Sequence, residues 1–275
     1  MFKRLYMLIK IGRKLATSGV TNSIYKIYNP PTLIKIFFSI LGMGKNNNFN
    51  SSGEQLCKTL QEMGTTFIKL GQFLATRPDI IGENLASDLE KLQDKLPPFS
   101  SEKAKSILRE ELGNDNYNKI KNFSPPIAAA SIAQVHFADI TENNKKKTVA
   151  IKILRPEIEK IFNEELDALM LLAYFIETLV KKTKRLKLVE TVFLLKEITN
   201  IEMDLRFEAA AANELYENTK NDIGFKVPKI YWNFTRKKIL CLDKIEGTPI
   251  RQIQDLKSKN IDLEKLSKNI IQHFL

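Results

Sequence analysis

Cysteine and histidine are almost absent from this chain: Cys57, Cys241, His136 and His273 are all it has in 275 residues. The two cysteines stand far apart in apolar surroundings, which excludes a disulfide framework and fits a reducing compartment. So few sulfur and imidazole ligands also exclude a structural zinc site. Long apolar runs are missing too. The longest clean one, Leu169 to Ile176, is closed by Glu177 and is too short to span a bilayer, so it reads as a buried helix. The N-terminus is basic, but its apolar residues are interrupted by Lys10, Arg13 and Lys14, which is not the pattern of a cleaved signal peptide. No glycine fingerprint of a flavin or nicotinamide site occurs, and no cluster of iron ligands, so a hydroxylase finds no support. Zinc-finger spacing and aromatic-basic RNA motifs are lacking, and the lysines are scattered, so nucleic acid is not expected as a partner.

What is present is a globular composition, 43% hydrophobic and 27% charged, with a formal net charge of +11. A positive field of this kind suits anionic lipid or phosphorylated ligands. Residues 1–50 read as a basic amphipathic segment and linker. Met1, Phe2, Leu5, Leu8, Ile9 and Gly12 fall on one helical face, with Lys3, Lys10 and Lys14 on another. Such a helix lies on an anionic membrane surface or packs on its own domain; the pattern allows both. Pro30-Pro31 breaks the chain, and Lys45 to Ser52 is a polar linker.

Residues 51–123 read as helical. Leu56, Leu60, Met63, Phe67, Leu70 and Leu74 are spaced 4-3-4-3-4 and predict one helix ending at Pro78. A second helix is expected over about 82–96 and a third from Ser100 or Ser101 to about Leu112. Residues 124–250 change character. Small residues, Ala128 to Ala138, pass into an alternating strand; a Lys-rich turn and a strand from Thr148 to Leu154 follow. Helices are expected around 157–181 and 189–218, and a strand, turn and strand over 227–245. Residues 251–275 read as a further helix that stops on the apolar Ile270, Ile271, Phe274 and Leu275, as though more chain were expected.

Three constellations carry chemistry. Lys152 lies on the β-branched strand Thr148-Val149-Ala150-Ile151-Lys152 after a hairpin of small residues. Kinase-like folds bring an ammonium to nucleotide phosphates in this way. Glu208 falls on the apolar stripe of Ile198, Ile201, Leu205, Ala209, Ala212 and Leu215. A carboxylate there needs a partner if it is buried, and Lys152 is the natural one; a partly exposed glutamate is the alternative. Lys69 and Gln72 border the buried face of their helix, and Glu202 and Asp204 are carboxylates that could meet them, unless that stripe is simply the wet side.

Lys69-Leu70-Gly71-Gln72 resembles the KxGQ signature of the UbiB family of atypical kinases, which serve ubiquinone biosynthesis. Ala128-Ala129-Ala130-Ser131 through His136 looks like that family's Ala-rich nucleotide loop. Val149-Ala150-Ile151-Lys152 with Arg155-Pro156 is similar to its lysine strand. Glu202-Met203-Asp204 resembles its ExD motif, with Glu208 as the helix glutamate, and Leu240 to Gly247 is similar to its hinge. The resemblance implies an α+β fold, a protein-kinase-like N-lobe of small antiparallel sheet and helices with a helical N-terminal extension, and a C-lobe almost entirely missing. It implies ATP or ADP as ligand, with a preference towards ADP. Lys152 would hold the α- and β-phosphates and Glu208 would fix Lys152. Ala128, Ala129, Ala130 and Ser131 would form the loop, and Asp243, Lys244 and Ile245 would border the adenine through their backbone. Lys69 and Gln72 would pair with Glu202 and Asp204.

The family's His-x-Asp catalytic loop and Asp-containing metal motif do not occur here: His136 is followed by Phe137-Ala138 and His273 by Phe274-Leu275. No catalytic or metal residue is therefore assigned. Magnesium is expected only if another segment supplies a C-lobe. The expectation is a UbiB-like kinase or ATPase lobe, cytoplasmic and peripheral at the inner membrane, inactive alone. Its expected partners are quinone-biosynthesis enzymes and a complementary C-terminal fragment. A non-catalytic membrane-surface scaffold, or the remnant of a split gene, is the alternative.

Overall fold

Two helices come first in the structure, a computed structural model that describes residues 2–18, 32–42, 52–92, 96–142, 144–250 and 252–274. They are α1 (Phe2–Thr17) and α2 (Thr32–Gly42). The Pro30-Pro31 break, most of the 45–52 linker and Asn143 of the Lys-rich turn lie outside the described residues. The single helix expected up to Pro78 is two, α3 (Ser52–Met63) and α4 (Thr65–Ala75). Gly64 parts them at φ 107°, a backbone region open to glycine and strained for other residues. The short α5 (Pro78–Ile81) and α6 (Glu83–Glu90) follow. The next helix, α7 (Ser101–Tyr117), starts where expected, with the Ser100 side chain accepting from the backbone N–H of Lys103; it bends at Gly113 and runs past Leu112.

Four strands come next: β1 (Ile120–Lys121), β2 (Pro126–Ala129), β3 (Ala133–Glu142) and β4 (Lys145–Leu154). After α8 (Ile158–Leu179), the helix expected over 189–218 is again two, α9 (Leu188–Glu202) and α10 (Leu205–Thr219). Asp204 is extended and caps α10 by accepting from the backbone N–H of Arg206. Glu202, Asp204 and Glu208 therefore do not share one helix. Over 227–245 only β5 (Ile239–Asp243) is a strand. The expected first arm is reduced to one bridge, Ile230 opposite Leu242, and a 3₁₀ turn, Trp232–Phe234; Pro228 has no N–H to extend a ladder. Two helices, α11 (Ile253–Ser258) and α12 (Leu263–Phe274), complete the order.

The chain forms two compact units that alternate along the sequence. The first comprises 1–98, 129–133 and 154–203 and is helical apart from the strand ends it includes. Its centre is α3, α4 and α6, with Leu60, Phe67, Ile68, Leu89 and Leu92 buried. Gly71 permits the approach: a Cβ there would meet Leu60 Cδ1 at 2.8 Å and Leu92 Cδ1 at 3.1 Å. The α8–α9 pair packs alongside, burying Phe162, Leu166, Leu169, Val192 and Leu195, with Lys196 held by Asp167 at 3.0 Å. α1 packs on α2, α3 and α8. It buries Ile11 and Gly12 and leaves Ile9 exposed, so its inward face is rotated from the one expected. Lys14 pairs with Glu62 of α3. The side chains of Met1, Phe2, Lys3 and Leu5 lie outside what is described.

The second unit comprises 99–128, 134–153 and 204–275. Its sheet has the order β1-β3-β4-β5, with β2 also on β3. β4 and β5 run antiparallel, Val149 opposite Asp243 and Lys152 opposite Leu240. Alternation along β4 sends Val149, Ile151 and Ile153 into a core with Ala138, Ile140, Ile239 and Cys241, closed by Ala104, Ile107, Leu108 and Leu112 of α7. Burial pushes the Cys241 thiol far up from its ordinary pKa, so it is an inert core residue. α7 thus belongs under this sheet, and α10 packs against β5. The fold is α+β, with a small antiparallel sheet and a majority of helix.

Candidate functional site

The pleat that buries Ile151 and Ile153 turns Lys152 to the opposite face of β4. Glu208, in the first turn of α10, meets it there. Lys152 Nζ donates to Glu208 Oε1 at 2.9 Å and Oε2 at 2.8 Å. The lysine side chain is 26% exposed and the glutamate 49%. The stripe that suggested a buried glutamate is mostly wet, since Ile198, Ile201 and Leu215 are exposed and only Leu205 and Ala209 are buried. The pair therefore forms on an accessible face of the sheet, on a strand flanked by β3 and β5. In such a setting the carboxylate adds little stability and chiefly orients the ammonium.

The residues assigned to the hinge are partly engaged. Asp243 accepts from Tyr231 Oη at 2.6 Å. Burial, and then this bond, hold the Tyr231 hydroxyl well above its ordinary pKa. The Asp243 N–H donates to the Lys229 carbonyl at 2.9 Å and the Lys244 N–H to the Thr148 carbonyl at 3.4 Å. Ile245 is 48% exposed at the end of this run.

Within the helical unit Lys69 of α4 pairs with Glu202 at the end of α9, Nζ to Oε2 at 2.9 Å. The stripe carrying Lys69 is thus not simply its wet side. Asp204 is engaged by Arg206, whose Nη2 lies 2.6 Å from its Oδ2, and this holds its carboxyl below the usual range. Gln72 is half-buried and has no hydrogen-bond partner among the described residues. Of the pairing expected around the KxGQ segment, the contact of Lys69 with Glu202 is formed within this unit.

In the Ala-rich segment Ala128 is exposed, Ala129 and Ala130 are half-buried and Ser131 is fully buried. Two residues outside the expected site hold it: Arg155 donates to the Ala130 carbonyl, and Thr65 Oγ1 to the Ser131 carbonyl. Arg155 follows directly on the lysine strand, but a lone arginine at a strand end carries no signal of its target. Gln134 and His136 are also structural. The Gln134 amide accepts from the Phe99 N–H at 2.9 Å and donates to His136 Nε2 at 2.8 Å. His136 Nδ1 then donates to the Ser124 carbonyl at 2.8 Å. Burial lowers the imidazole pKa, and the neutral form satisfies both of these bonds.

A small antiparallel sheet with a strand lysine held by a helix glutamate defines a kinase-like N-lobe. The comparisons with known proteins agree. Residues 91–275 match the ABC1 atypical kinase-like domain. The chain is 36% identical over 246 residues to the probable protein kinase UbiB of Marinobacter nauticus, covering 89% of this chain and 44% of that protein. The proteins of the same name from Cellvibrio japonicus and Pseudomonas aeruginosa are 33% identical over 225 residues and 34% over 223. These cover 82% and 81% of this chain and 40% and 41% of the relatives. The chain belongs to this UbiB, or ABC1, family of atypical kinase-like proteins. It spans about two-fifths of the length of the curated relatives it matches.

Proposed function

We propose that this chain supplies the nucleotide-binding lobe of a UbiB-type atypical kinase or ATPase that supports ubiquinone biosynthesis at the membrane. The observation that carries the reading is the Lys152–Glu208 pair. An ammonium on a central strand is held by both oxygens of one carboxylate, 2.8–2.9 Å away, and is still accessible to an anion. ATP or ADP fits this arrangement, since the α- and β-phosphates ask for a positioned cation more than for covalent chemistry. Lys152 takes the phosphates, Glu208 orients Lys152, and Asp243 to Ile245 border the adenine; the family resemblance assigns Ala128 to Ser131 to nucleotide binding as well.

Magnesium is a separate matter. Among the described residues no three His, Cys, Asp or Glu side chains converge as a metal site, and no step is assigned to a metal. Phosphoryl transfer by this lobe needs a complementary segment that carries the catalytic loop. The membrane role is supported by the +11 charge and by exposed Tyr6, Ile9, Ile36 and Ile40 on the α1–α2 pair, with Lys10 and Arg13 exposed beside them. The same surface favours a second reading, a membrane-surface scaffold without nucleotide. Among the described residues no helix is long and apolar enough to cross a membrane.

Thermal unfolding with and without ADP or ATP separates the two readings. A bound nucleotide raises the melting temperature in proportion to the logarithm of its concentration over Kd. The expected result is a small rise with ADP that grows with the logarithm of its concentration and is absent in Lys152→Met. No rise in the wild type, with binding to anionic vesicles retained, supports the scaffold instead.

A further inference from the structure

Four consecutive carbonyls in the Ala-rich loop are tied down. The Ala130 carbonyl accepts from Arg155 Nε at 3.1 Å and Nη2 at 2.8 Å. The Ser131 carbonyl accepts from Thr65 Oγ1 at 3.1 Å. The Ile132 carbonyl accepts from the Arg155 N–H, and the Ala133 carbonyl from the Ala130 N–H, both at 2.8 Å. Arg155 Nη2 also reaches the Pro97 carbonyl at 3.0 Å. Thr65 and Ser131 are buried, so a flip of either peptide beside Ser131 would orphan groups that water cannot reach. All of these residues lie in the helical unit.

A run of small residues left to itself samples many conformations and loses that freedom when a ligand arrives. Here the freedom is already lost on folding. We propose that Arg155 is a positioning residue that clamps the 129–133 loop into one conformation, and that Thr65 is its second tie. The clamp makes this loop a fixed wall in place of a mobile flap. Through Thr65 it also fastens the loop to the first turn of α4, the helix of Lys69 and Gln72. Arginine is required because one planar fork serves two carbonyls from separate segments. The clamp stands on its own geometry; its consequence for ligand binding rests on the nucleotide reading above.

The test follows amide exchange over residues 128–134 of the whole chain, in the wild type and in Arg155→Lys, Arg155→Met and Thr65→Val. Arg155→Lys keeps the charge and loses the fork. It is expected to speed exchange at the Ala130 amide by roughly tenfold or more, with amides of α7 and β4 affected less and a fall of only about 2–5 °C in the melting temperature. Thr65→Val is expected to act in the same direction and less strongly. Should Arg155→Met fail to fold, the other two variants decide. Equal exchange in Arg155→Lys, Thr65→Val and the wild type overturns the clamp.

A second arm measures ADP affinity. A loss of several-fold in Arg155→Lys, at a temperature where that variant is fully folded, supports the positioning role. Equal ADP affinity overturns that role. If the wild type binds no ADP, the nucleotide reading falls, and the exchange arm still decides the clamp.

Discussion

Gly71 offers the sharpest test of how the KxGQ helix packs, because two effects of similar size oppose each other there. Gly71→Ala in the interior of α4 gains helix propensity, about 1 kcal/mol. The added Cβ would stand 2.8 Å from Leu60 Cδ1, 3.1 Å from Leu92 Cδ1 and 3.7 Å from Leu89 Cδ2. Those leucines are 4%, 5% and 1% exposed, so none can swing into solvent to make room. Overpacking of this kind costs about 1–3 kcal/mol. The net expectation is a loss of about 1 kcal/mol for Gly71→Ala. A loss of about 3 kcal/mol is expected for Gly71→Val, which adds bulk and forfeits part of the propensity gain. Urea unfolding followed by circular dichroism measures both. Leu60→Val in the Gly71→Ala background relieves the clash, so the double variant should be more stable than the sum of the single changes predicts, by about 1 kcal/mol. A Gly71→Ala protein more stable than the wild type would refute the reasoning, because it would mean that α3, α4 and the chain after α6 leave room for a methyl group.

Other perturbations read different parts of the molecule. His136 is buried and neutral, with a folded pKa below the unfolded value of 6.5. The unfolded state therefore takes up the proton first, and stability is full above about pH 6.5 and falls as the pH drops below it. Melting temperatures at pH 7.5 and 5.5 should differ more in the wild type than in His136→Gln; an equal difference would exclude His136 as the source. The Lys69–Glu202 pair, at 18% and 32% exposure, lies between surface and core. Lys69→Met is expected to cost about 1–2 kcal/mol, and a double-mutant cycle with Glu202→Gln should give a favourable coupling; zero coupling would return Lys69 to solvent. Glu208→Gln should leave the melting temperature nearly unchanged while weakening ADP binding, since its partner Lys152 is accessible; a large loss of stability without any effect on ADP would contradict the orienting role.

Much of this arrangement is legible from residue order, for a definable reason. Strand alternation places Lys152 opposite the buried Val149, Ile151 and Ile153, and a lysine on the open face of a strand needs an acid, which Glu208 provides. Periodicity alone, though, runs straight through Gly64 and through Met203–Asp204. Helix breaks there depend on backbone angles and a cap, which an apolar spacing does not encode. The position of α7 under the sheet is illegible for another reason. Its buried face, Ala104, Ile107, Leu108 and Leu112, would suit a helical bundle or a sheet equally well. The Arg206 that engages Asp204 stands only two residues away, and so local a pair carries no periodic signal. Arg155, Thr65 and Gln134 act on backbone carbonyls and amides, and such targets leave no complementary residue in the sequence to point to them.

The central claim is that Lys152 stands where nucleotide phosphates bind. An acyl-phosphate derivative of ADP, which acylates an amine lying beside the bound phosphates, tests this most directly when the labelled site is mapped by mass spectrometry. The account predicts that Lys152 is the lysine modified, that excess ADP protects it, and that Glu208→Gln lowers the yield. Labelling spread over the surface lysines, with Lys152 unmodified or unprotected by ADP, would contradict it.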